Sequence, residues 1–164
     1  MLTPGMLQIQ LRYTDWASRL LVEAAGALTQ DELTRDFGTA DKSVLGTLVH
    51  VFAADRIWYS RVVGPPQDYF TRPEDYTLDV LRGEWPRLLE RWQAFAEGIG
   101  QETVESVIRY KDLRGNEHGQ PLWQILLHMV NHGTHHRGQV SGFLRAMARR
   151  PPATDLIYYY RQIS

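Results

Sequence analysis

Apolar residues recur at three- and four-residue steps in four long segments, which predicts four amphipathic helices. The first covers about 6–28, with Leu7, Leu11, Leu20, Leu21 and Ala24 at helical spacing and Trp16 between them. The polar stretch 29–40, with Asp31, Asp36 and Gly38, reads as a loop. The second helix starts near Asp41 or Ser43, either of which can cap it, and ends at about Val63 before Gly64-Pro65-Pro66. Val44, Leu48, Val51, Asp55 and Trp58 form one stripe and Leu45, Val49 and Phe52 the next, a wide apolar arc that places this helix centrally. After a loop through Pro73, the third helix covers about 77–98, with Leu81, Trp85, Leu88, Leu89, Trp92, Phe95 and Ala96 at core spacing. Pro86 lies inside it and predicts a kink or a restart.

The pattern changes at 104–120. Residues 104–110 have strand-like content and Arg114-Gly115-Asn116 looks like a turn; the segment is read first as a plain crossing between long helices, with a small hairpin as the alternative. The fourth helix begins at Pro121, a good first helical position, and runs to about Arg149 before Pro151-Pro152. A short final helix is expected over 154–161. Together these elements predict an all-α four-helix bundle, one domain over 1–164, with a short C-terminal helix.

Charge and composition narrow the function. A net charge of −1, with no basic run longer than Arg149-Arg150, argues against nucleic-acid binding. No stretch approaches the ~20 apolar residues of a membrane span. The N-terminus lacks a basic region followed by a long apolar stretch, so no signal peptide is expected. The absence of cysteine excludes disulfides, thiolate metal sites and a cysteine nucleophile, and fits a cytoplasmic protein. Any transition-metal site must then use histidine and carboxylate.

Four of the six histidines fall between His128 and His136. In the fourth helix, Leu122, Ile125, Met129, His132, His136, Val140, Phe143 and Met147 make one stripe facing the bundle interior. His132 and His136 are successive positions on it, and i, i+4 imidazoles on one face suit chelation of one ion. Burying two imidazoles costs desolvation unless each finds a partner, which one metal would supply to both. A third ligand is expected from another helix, and His50 stands in an apolar context in the second. His128 lies ~12 Å along the axis from His136, too far for one ion to span easily, and is read as lining the pocket. His135 points about 100° away from His136, towards solvent or an interface. His118 sits in a polar loop with no special role.

The run His132-Gly133-Thr134-His135-His136-Arg137-Gly138-Gln139 resembles the C-terminal signature of the DinB-like (DinB/YfiT) four-helix proteins. The likeness extends to Tyr13-Thr14-Asp15-Trp16-Ala17-Ser18, to Leu48-Val49-His50 with Asp55-Arg56-Ile57-Trp58, and to the segment from Leu122 to His132. It implies a four-helix bundle, usually a homodimer, holding a divalent metal on three histidines that map onto His50, His132 and His136. Members include proteins described as metal-dependent hydrolases and as transferases using low-molecular-weight thiols; many have no established activity.

Three histidines would leave a coordination position open, as in catalytic zinc sites. Zinc or nickel fits best, with iron or manganese as alternatives. The first function expected is a metal-dependent enzyme acting on a small molecule, either a thiol-dependent transferase or a hydrolase. In the former the thiol must come from a cofactor or substrate. The alternative is a non-catalytic metal or small-ligand binding protein of stress response; a third reading gives the histidines a structural role alone. No glutamate sits beside the pair, in contrast to His-Glu-x-x-His enzymes, so Asp15 and Asp55 are the candidates for an acidic group near the pocket. Trp16, Trp58, Tyr13 and Trp123 are core residues by default and pocket-lining candidates otherwise. Arg137 could bind an anionic substrate group or form a salt bridge. Gly133, Gly138 and Gly142 would let another helix approach closely.

Overall fold

The computed structural model describes residues 2–164. Four long helices form the body: α1 (Pro4–Ala25), α3 (Val44–Val62), α4 (Leu78–Glu97) and α6 (Leu122–Ala146). Between them lie two short helices, α2 (Gln30–Thr34) and α5 (Gln101–Glu105), a 3-10 turn at Pro73–Asp75 and a hairpin of β1 (Val107–Lys111) and β2 (Glu117–Pro121). Helix α7 (Leu156–Ile163) closes the chain.

The starts of three long helices follow from capping hydroxyls. Thr3, Ser43 and Thr77 accept hydrogen bonds from the backbone N–H of Met6, Gly46 and Val80, each satisfying a donor that the first turn leaves free. Pro86 sits within α4 without dividing it, so the restart anticipated there does not occur. Pro121 ends β2 and precedes the first helical residue of α6 rather than being that residue. The loop expected over 29–40 contains α2, held by a reciprocal capping box of Thr29 and Glu32.

Helix α1 packs on α4 and α6, and α3 packs on the same two, while α1 and α3 scarcely touch. The order round the bundle is therefore α1, α4, α3, α6, and the chain crosses the bundle diagonal twice. The first crossing carries α2; the second carries α5 and the hairpin. The hairpin is antiparallel, pairing Val107 with Pro121 through Lys111 with Glu117. β1 lies against α3 and β2 against α6, so the hairpin covers one end of the seam between those helices.

The core is aliphatic with two buried tryptophans. Trp85 and Trp92 of α4 each donate their indole N–H to Asp55 of α3, one to its carboxylate at 2.8 Å and one to its backbone carbonyl at 3.2 Å. Burial of each such ring is worth about 2–3 kcal/mol, and the bonds to Asp55 keep the indole N–H groups satisfied. A smaller cluster of Tyr13, Ala17, Val130 and Tyr159, with Trp16 against it, seats α7 on α1 and α6. Among the described residues, no helix is long and apolar enough to cross a membrane.

Candidate metal centre

His50 stands on α3 and His132 and His136 on α6, the pair of helices in direct contact. One ring nitrogen from each lies within 4.8 Å of the others. His50 Nε2 and His132 Nε2 are 3.0 Å apart. Two nitrogens at tetrahedral positions ~2.05 Å from one zinc would be ~3.3 Å apart, so the His50–His132 pair fits a shared cation, with His136 close by. The rings of His50 and His136 have centroids 4.4 Å apart and those of His132 and His136 4.5 Å.

The outward nitrogens of His50 and His136 are held by other groups. His50 Nδ1 lies 3.2 Å from Asp41 Oδ1, and His136 Nδ1 donates to Gln139 Oε1 at 2.6 Å. The second Asp41 oxygen lies 3.9 Å from His136 Nδ1. Each contact places the proton on Nδ1 and leaves the Nε2 lone pair facing the cluster, the usual way a second shell orients a metal-binding histidine. Asp41 was anticipated only as a helix cap. Its approach depends on Lys42, which takes a left-handed φ of 62°, and on Gly46, where a Cβ would collide with the Asp41 carbonyl. Gln139 follows His136 by three residues, a spacing visible in the sequence.

Burial depresses the basicity of the cluster. His132 is pushed down to about 3, first by desolvation and then by the imidazoles of His136, His50, His128 and His135 around it. Burial also lowers His136, against the pull of Gln139 and Asp41, and lowers His128. Near neutral pH the His132 and His136 rings are uncharged, the form that ligates metal.

Two of the three histidines, His50 and His132, line a cleft of about 360 Å³, walled in part by His128, Trp58, Phe70 and Arg61. His128 is exposed, with its ring edge-on to Trp58 at 5.4 Å. Trp58 and Trp123 both pack on the core, and Trp58 also lines the cleft.

The other candidates lie elsewhere. Asp55 is fully buried between α3 and α4, where desolvation raises it to about 7 against the opposing effects of Trp85 and Arg137. It lies five residues after His50, about 140° round α3, which turns it away from the triad. Asp15 bonds Arg19 and Gln93. Trp16 packs on Tyr13 and Tyr159. Arg137, one residue after His136, is rotated about 100° into the opposite flank of α6. There it is buried over the Tyr13 ring and bonds Ser18 and Thr134. Among the described residues, Arg137 forms neither a salt bridge nor a contact with the triad. Gly133 accommodates that guanidinium rather than a second helix, and a Cβ at Gly138 or Gly142 would meet no neighbouring element among the described residues. His135 is exposed, and His118 braces the hairpin through Asp112 and Tyr110.

The model of the DinB family matches residues 1–163. This chain belongs to the DinB family. Protein DinB of Bacillus subtilis (strain 168) is 21% identical over 155 residues, which cover 90% of this chain and 89% of that protein. The crystal structure of a DinB-like protein from Bacillus cereus ATCC 10987 superposes with a TM-score of 0.58 at 18% identity, covering 88% of this chain and 94% of that one. The family membership and this shared fold agree with the resemblance and the bundle expected from the sequence.

Proposed function

We propose that His50, His132 and His136 form a divalent-metal centre and that the protein is a metal-dependent enzyme, with thiol-dependent group transfer the reaction it fits best. The observation that carries this reading is the convergence of three imidazoles, two of which, His50 and His136, have their outward Nδ1 atoms occupied by Asp41 and Gln139. A simple hydrogen bond between His50 and His132 would explain two rings; it leaves the third and its brace without a purpose. A metal bound there would supply Lewis acidity, favouring the thiolate form of a thiol and acidifying water. An all-imidazole donor set suits zinc or nickel.

Transfer is preferred over hydrolysis because, among the described residues, no free carboxylate stands beside the triad to serve as general base. The oxygens of Asp41 face His50 and His136, while Asp15 and Asp55 serve other contacts. Thiol chemistry needs less of a protein base, since coordination itself favours the thiolate. The chain's own residues would orient the ligating rings and present the incoming molecule along the wall formed by Trp58 and His128.

Metal analysis of untagged protein tests the centre. Near-stoichiometric zinc or nickel is expected in the native protein and not in His132→Ala. A panel of small thiols with electrophiles, beside an ester and amide panel, then tests the reaction. Turnover that His132→Ala abolishes supports the enzyme. Stoichiometric metal with no turnover in either panel would leave the non-catalytic binding protein as the better reading.

A further inference from the structure

We propose that the cleft beside the triad takes a small organic acid, and that Arg61 recognises its carboxylate. This rests on the reading of the triad as the metal centre that meets the reacting end of the same molecule.

The placement follows from α3. His50, Ala54, Trp58 and Arg61 succeed one another at steps of three and four residues, so they share one face. Arg61 is eleven residues beyond His50, about 16 Å along the axis. Helical side chains lean towards the N-terminus, which brings the guanidinium back towards the triad. Both residues line the same cleft.

The Arg61 guanidinium is held but not neutralised. It lies 4.7 Å from the Trp58 ring and 5.1 Å from the Tyr110 ring, a clamp between α3 and β1. It forms no ion pair or hydrogen bond with any described residue. Burial lowers its basicity, against the opposing influence of Tyr110 and Asp112. Asp112 is the nearby acid, and its oxygens already accept from the backbone N–H of Arg114 and Asn116, the Asn116 amide and His118. The fork of Arg61 therefore keeps unused donors at a partly dry wall, where a planar carboxylate can meet two of them at once. Arg114 adds a second cation at the rim, and Trp58, Phe70 and Leu113 offer apolar surface for a carbon chain. One clamped arginine facing an engaged aspartate suits a monoanion better than a phosphate dianion.

The test uses a matched pair of thiols on zinc-loaded protein, 6-mercaptohexanoate and its neutral counterpart 6-mercaptohexanol, with affinities from calorimetry. The carboxylate thiol is expected to bind about tenfold more tightly, the size of one charge-assisted contact. Arg61→Gln should erase that preference while zinc uptake is unchanged, and Arg61→Lys, which keeps the charge without the fork, should reduce it partway. Equal binding of the two thiols by the native protein, a preference unchanged in both variants, or an equal loss for both thiols in Arg61→Gln would overturn the proposal. A metal-free arm keeps the two readings separable. Hexanoate, but not hexanol, should shift the Trp58 indole resonance in the native protein and not in Arg61→Gln. If zinc is not taken up, the metal centre fails, and the hexanoate arm alone decides the anion site: a shift supports it and no shift overturns it.

Discussion

Asp41 shows how one carboxylate can organise a site it does not ligate. Its oxygens face the Nδ1 atoms of His50 and His136, at 3.2 and 3.9 Å. Removing a bracing group of this kind typically costs 10–100-fold in metal affinity. Asp41→Ala is therefore expected to weaken zinc binding by roughly that factor in competition with a chromophoric chelator, while the helical circular-dichroism signal stays unchanged. Two other residues act on stability with opposite signs. Asp55 titrates near 7 in the folded protein and near 3.8 when exposed, so the native state holds the extra proton and stability falls as pH rises through that window. His132 titrates near 3 when folded and near 6.5 when exposed, so the unfolded state holds the extra proton and stability falls as pH drops from 6.5. His128 and His136 act in the same direction as His132. In metal-stripped protein the two trends offset between about pH 4 and 6.5. Asp55→Asn is expected to steepen the loss towards acid, and His132→Gln to unmask the loss towards neutral pH; urea midpoints across that range read both.

At the scale of elements, the start of α3 carries the site. Ser43 caps it, Lys42 turns the chain with a positive φ, and Gly46 leaves room for the Asp41 carbonyl against the first turn. A Cβ at Gly46 must displace that backbone, and with it the carboxylate below His50. Gly46→Ala, which would ordinarily favour a helix, is expected to lower both zinc affinity and melting temperature. The end of α6 stores a cost of another kind. Ala148 sits at φ 57°, and the bonds from Ala148 N–H to Arg145 O and from Arg149 N–H to Leu144 O form a Schellman motif that normally uses glycine. Ala148→Gly should stabilise the protein by about 0.5–1 kcal/mol in urea unfolding, without altering metal binding.

Across the whole molecule, the triad joins α3 to α6 at the seam beside the hairpin, so a metal held there would be linked to folding. A ligand at 100 times its Kd, bound only by the native state, adds about 2.7 kcal/mol. For a chain of this size that corresponds to a rise of roughly 5–10 °C in Tm. Zinc should raise the melting temperature of the native protein by that order and leave His132→Ala unmoved; equal shifts in both would place the binding elsewhere. The same architecture explains why only part of the site was legible beforehand. The four helices and the hairpin option came from periodicities and turn residues, which are local. The His132–His136 pair came from a one-turn spacing, and His50 from its apolar surroundings and the family resemblance. Gln139 was within reach of the same spacing argument.

What the sequence determined by itself is whatever depends on neighbours within a turn or two: the caps, the helical faces, the paired histidines and the absence of any thiol. Tertiary structure alone decided which faces meet. It covered the Arg137 flank of α6 with Tyr13 and Ser18 of α1, and drew Asp55 into a tryptophan clamp. It also carried Trp16 to the α7 contact, and brought Asp41 to His50 and His136. A residue's helical face follows from its number, but its partner follows from the order α1, α4, α3, α6 round the bundle. Two diagonal crossings of the chain set that order, and they are set by packing of the whole core rather than by any short stretch of sequence.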